Sequence, residues 1–161
     1  MINKQFVQNI VEEEVGALNI FLIDLQISNS NSIKILLDSE KGVKISDCVK
    51  ISRSIEHQLD REKEDFELEV SSYGLFSPFK ILLHYNKNLG KEVEIYLKEG
   101  KNFKGTLIKV ETLKNSEIID FIEISQKRKK KIEGKKKKVE VEEIVLVKIE
   151  EIKKIKLIPK F

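Results

Sequence analysis

The chain has 161 residues, 40% of them apolar and 35% charged, with a formal net charge of +3. That supplies a core for one ordinary domain or two small ones, and because the charges alternate with Ile, Val and Leu through most of the length, wholesale disorder is excluded. No run approaches the ~20 apolar residues of a membrane span, the start lacks the basic-then-apolar order of a secretory signal, and the single cysteine cannot close an internal disulfide, so a soluble, cytosolic protein is expected.

The net charge hides an asymmetry. Residues 1–80 hold 9 basic against 14 acidic residues, and residues 81–161 hold 21 against 13. An acidic half followed by a basic half predicts two modules, the second being the one suited to touch phosphate.

In chain order, Ile2, Phe6, Ile10, Val11, Val15 and Leu18 recur at the three- to four-residue spacing of an amphipathic helix, which Asn19 can close as a left-handed cap. Phe21, Ile23, Leu25 and Ile27 then alternate as a strand, "SNSNS" supplies a turn, and "IKILLD" resumes an extended pattern, giving a hairpin. Ser46 is placed to cap a second helix with Cys48, Ile51, Ile55 and Leu59 on its apolar face, and Asp47 in its first turn favours the positive helix end. Cys48 reads as a packing residue. Phe66, Leu68 and Val70 form a third strand, so the first half reads helix, strand, strand, helix, strand, with both helices on one face of a small sheet.

Beyond Pro78 a short apolar piece, "FKILLHYNKN", leads to Gly90, and strands follow: "KEVEIYL", "NFKGTLIKVE", "IIDFIEIS", "IVLVKI" and "IKKIKLIP". Five short strands in succession predict a small β-barrel, with Gly105 permitting a bend.

Catalytic chemistry has little support. Ser71 and Ser72 lack a GxSxG setting, His57 and His84 read as surface residues at helix ends, and no phosphate-cradling glycine spacing or metal-ligand set is present, so neither a cofactor nor a metal is expected. The strongest signal is "KRKKKIEGKKKK" at residues 127–138, nine of whose twelve residues are basic. It reads as a hairpin loop that either keeps the protein soluble or binds RNA phosphates through Lys127, Arg128, Lys129, Lys130, Lys131, Lys135, Lys136, Lys137 and Lys138, joined by Lys104. Lysines address phosphate as point charges, so this tract carries little base information. Stacking partners are limited to Tyr73, Phe76, Phe79, Tyr85, Tyr96 and Phe103, most of them placed where core packing explains them.

Five stretches, "LDSEKGVKISDCVKISRSI", "LEVSSYGL", "LGKEVEIYL", "FKGTLIKV" and "IEEIKKIKLIPKF", together resemble the bacterial ribosome maturation factor RimP family across nearly the whole chain. The resemblance implies an α+β protein: an N-terminal αββαβ domain, a KH-like α/β sandwich, at residues 1–79, and an SH3-like or Sm-like barrel at 80–161, joined near 78–84. It implies a non-enzymatic, monomeric, cytoplasmic factor that binds the free 30S subunit, with 16S rRNA and small-subunit ribosomal protein twelve as partners and no membrane. Glu69, Ser71, Ser72, Gly74, Leu75 and Pro78 match the family's joint motif, whereas Tyr73, Phe76 and Ser77 replace its proline, acidic residue and arginine. The rival readings are an Sm-type protein acting on small RNAs and an enzyme built on a serine.

Overall fold

The structure, a computed structural model, describes residues 2–131, 133–134 and 137–159. The chain divides into two compact units, Met1–Gly74 and Leu75–Phe161. Helices and a sheet share the first, and the second is built on a larger sheet, so the class is α+β.

The first unit runs α1 (Lys4–Leu18), β1 (Phe21–Ile27), β2 (Ser32–Asp38), α2 (Ile45–Gln58) and β3 (Glu67–Ser72). The Asn3 side chain caps α1 by accepting from the Phe6 N–H at 3.1 Å, and Asn19 ends it with φ 56°, the expected left-handed cap. Strand β2 lies between β1, antiparallel, and β3, parallel, and the parallel pairing is reached through α2. Val7, Val11, Ile33, Ile35, Leu37, Ile51 and Ile55 fill the core, with Cys48 and Leu59 packed at its margin. Burial raises the Cys48 thiol above its ordinary pKa, with Asp47 adding to the shift, which keeps it a packing residue and not a ready nucleophile.

Three expectations for this unit change. Phe6 is exposed and Val7 takes its place in the core, because the inward stripe of α1 runs Val7, Ile10, Val11, Val15. Strand β1 shifts register between Leu22 and Asp24, which leaves Ile23 as an extra residue. That bulge turns the alternation over, so Leu22 packs against the core with Leu25 and Ile27 while Phe21 faces out. Helix α2 starts at Ile45, so Ser46 is inside it. The Asp47 carboxylate accepts from the Lys44 N–H at 3.2 Å, holding the entry to the helix.

The second unit opens with α3 (Leu82–Lys87) and continues as β4 (Glu92–Leu97), β5 (Asn102–Thr112), β6 (Ile119–Lys131), β7 (Lys138–Lys148), a 3-10 turn and β8 (Ile152–Leu157). The strands make one antiparallel sheet ordered β7-β6-β5-β4-β8. Val93, Ile95, Leu107, Ile122, Ile124 and Ile155 are its centre, and Phe79 and Tyr85 are buried in the same cluster.

His84 is buried here, not a surface residue. Its Nδ1 accepts from the Lys80 and Ile81 N–H groups at 2.8 and 3.3 Å, satisfying two amides at the start of α3. His57 is exposed, as expected.

Candidate nucleic-acid interface

The basic tract is not a plain loop. Residues 127–131 continue β6, and Lys138 opens β7, with the ladder running out to the pair Lys131 and Lys138. The cause is in the facing sequence: "KVEVEE" on β7 alternates valine and glutamate, setting Val139 and Val141 opposite Lys130 and Arg128, and Glu140 and Glu142 opposite Lys129 and Lys127. Opposite charges directly across a ladder favour pairing, so the sheet extends through residues that composition alone assigns to solvent. Lys127, Lys129, Lys137 and Lys138 are exposed along this arm. Lys135 and Lys136 lie outside the described residues.

At the base of the arm, Lys104 on β5 and Lys127 on β6 line one groove of about 500 Å³, together with Glu92, Thr106, Ser125 and Gln126. The Gln126 amide donates to the Lys104 carbonyl at 2.9 Å, and the Ser125 hydroxyl to Glu142 at 2.6 Å, so the groove wall is tied to both neighbouring strands. Gly105 is required by space: a Cβ there would overlap the Ile124 side chain and lie 2.8 Å from the Ser125 carbonyl oxygen.

Next to Lys104 in register is Glu94 of β4, which pairs on its other side with Lys156 of β8. The Tyr96 hydroxyl donates to Glu94 at 2.6 Å and the Asn102 amide at 3.2 Å. The hydrogen bond from Tyr96, then that from Asn102 and the charges of Lys104 and Lys156, hold the Glu94 carboxyl below its usual range. Of the six aromatic candidates, Phe79 and Tyr85 belong to the core and Phe103 packs against it, whereas Tyr96 stands outside it. Sequence reading joins Lys104 to the arm but misses Lys154 and Lys156. The outward Lys-x-Lys of "KIK" on β8 is the available signal.

The joint residues fall on separate elements. Glu69, Ser71 and Ser72 are rungs of β3 opposite Lys34, Leu36 and Leu37; Gly74 ends the first unit, and Leu75 and Pro78 belong to the second. Phe76 and Leu75 are exposed.

A family model described as the RimP N-terminal domain matches residues 10–76. A curated relative from Porphyromonas gingivalis, named ribosome maturation factor RimP, is 36% identical over 148 residues, covering 91% of this chain and 93% of its own. The chain belongs to the RimP family. Relatives of the same name from Christiangramia forsetii and Flavobacterium psychrophilum are 42% and 46% identical over 99 and 93 residues, or 61% and 57% of this chain. Those matches span 65% and 60% of the two relatives, just under two thirds of their length. Among the described residues, no helix is long and apolar enough to cross a membrane.

Proposed function

We propose that this protein is a maturation factor for the small ribosomal subunit, binding the free 30S particle in the cytoplasm through 16S rRNA and ribosomal protein twelve and catalysing no reaction. The observation that carries the reading is the near full-length relationship to a protein named ribosome maturation factor RimP. The basic β6–β7 arm supplies the physical means, since exposed lysines on a projecting ladder release counter-ions when they meet phosphate. The strand order β7-β6-β5-β4-β8 supports a sheet that curls as an SH3-like barrel. Binding would act thermodynamically, favouring the rRNA and protein arrangement that the factor binds best.

Co-sedimentation with free 30S particles across a salt series tests this. Binding at low salt that weakens as salt rises is expected; a folded sample that stays in the supernatant overturns the proposal. Neutralising Lys127, Lys129, Lys137 and Lys138 together should lower affinity and flatten the salt slope by about 0.7–0.9 for each phosphate that is no longer neutralised. The Sm-type alternative draws on the two sheet edges, β7 and β8, which could join copies into a ring. A monomer in analytical ultracentrifugation favours the ribosomal reading.

A further inference from the structure

We infer that the outer face of β4, β5 and β8 is a platform for an unpaired nucleotide, with the Tyr96 ring stacking on the base and Lys154, Lys156 and Lys104 holding the adjoining phosphates. This rests on the RNA-binding reading above and assigns that surface a substrate class, single-stranded RNA.

Inward positions of β4 are Val93 and Ile95, fully buried, so the pleat turns Glu94 and Tyr96 to the other face. Cross-strand register then sets Asn102 on one side of Tyr96 and Lys154 on the other, with Lys104 and Lys156 flanking Glu94. Three lysines surround one aromatic ring and the carboxylate bonded to it. The Lys154 ammonium lies 4.4 Å from the ring centroid and that of Lys156 5.5 Å. Both are within cation–π range, and both sit on flexible stems that can swing from the ring to a phosphate.

The ring itself is held. Its hydroxyl is anchored to Glu94 at 2.6 Å, and Glu94 is in turn bonded by Asn102, so the ring is oriented before any ligand arrives. A partly exposed, fixed aromatic ring rimmed by cations is the combination that takes a splayed-out base with its phosphates. A base inside a duplex keeps both faces covered by its neighbours, which is why the partner is single-stranded. Glu94 and Asn102 also present acceptor and amide groups at the ring edge, suited to a base edge and not to phosphate. Lys104 also lines the groove with Lys127, so a strand leaving the platform meets the foot of the basic arm.

The test uses the full chain with a single-stranded RNA of about twelve nucleotides, within the span such surfaces cover, and a duplex of equal length. Tyr96→Thr should weaken single-strand binding by roughly ten-fold, the loss of one stacked base, with an unchanged salt slope and unchanged duplex affinity. Tyr96→Phe keeps the stacking face but loses the hydroxyl that anchors the ring to Glu94, so its affinity should fall between those of wild type and Tyr96→Thr. In the wild-type protein carrying ¹³C-labelled tyrosine, the Tyr96 ring resonances should shift upfield on adding the single strand, a readout that needs no variant. Equal affinities for wild type and Tyr96→Thr, or unmoved Tyr96 resonances in a sample that binds the RNA, overturn the platform and leave the ribosomal reading standing. A wild type that binds neither RNA nor 30S particles overturns both.

Discussion

Lys127 and Glu142 face one another directly across the β6–β7 ladder, and Lys129 faces Glu140 two rungs further out. The arm is therefore not uniformly cationic: its foot is partly neutralised, and the uncompensated charge gathers toward Lys137 and Lys138. Neutralising the two acids should raise the positive potential that the facing lysines offer to phosphate. Glu140→Gln with Glu142→Gln is expected to tighten RNA binding roughly two- to five-fold at low salt, the scale of two exposed charge–charge interactions, with stability little changed because a glutamine oxygen at 142 can still accept from the Ser125 hydroxyl. Filter binding at two salt concentrations checks this. A weaker complex would mean that the carboxylates hold the arm in its binding shape.

The arm also marks where sequence reading stops. Alternation and caps are enough to place α1, the β1–β2 hairpin, α2 and the succession of strands, since each depends on neighbours within a few positions. A run of lysines carries no apolar period, so it reads as a loop until the facing "KVEVEE" is seen to hold it in register. The phase of β1 escapes for a related reason: one bulged residue, Ile23, reverses the inward face, and nothing local to "NIFLIDLQIS" announces it. Tyr96 and Lys104 come from consecutive strands but Lys154 from β8, the last strand of the chain, and their meeting is decided by sheet order and register. That the tract's chemistry is legible while its geometry is not follows from this: composition sets charge, but pairing partners set shape.

Gly105 of β5 packs directly against Ile124 and Ser125 of β6. Gly105→Ala forces its methyl into the Ile124 side chain and against the Ser125 carbonyl, and the backbone side of that contact cannot swing away. A destabilisation of about 1–3 kcal/mol is expected, the range for overpacking a fitted site. Thermal unfolding should show it, and groove resonances of Ser125 and Gln126 should move more than those of the first unit. An unshifted midpoint would mean that the strands separate easily here.

Tyr85 is buried in the second core, its ring edge-on to Phe79 at 5.2 Å, and burial pushes its hydroxyl pKa up to about 12 from 10.0. The folded state thus holds this proton more tightly than the unfolded state. The associated stability is intact below pH 10 and declines as pH rises from about 10 to about 12, by on the order of 2–3 kcal/mol. Tyr85→Phe removes this titration, so its urea midpoint should fall less than wild type across that window. Parallel declines in the two proteins would show that other groups govern the alkaline limb.

Glu94 and Tyr96 are coupled through one hydrogen bond of 2.6 Å, which lowers the carboxyl pKa and raises that of the phenol. A depressed carboxylate contributes stability above its unfolded pKa, and that contribution disappears as pH falls through the folded value. Tyr96→Phe removes the largest cause, so the Glu94 midpoint should move up toward the ordinary range, with Asn102, Lys104 and Lys156 still holding part of the shift. Glu94→Gln should conversely let the Tyr96 hydroxyl titrate lower. Carboxyl-carbon NMR of Glu94 and ring-carbon NMR of Tyr96 follow the two groups separately. If either substitution leaves the other group's midpoint in place, the bond does not orient the ring in solution, and the Tyr96 platform loses the rigidity on which its affinity for an unpaired base depends.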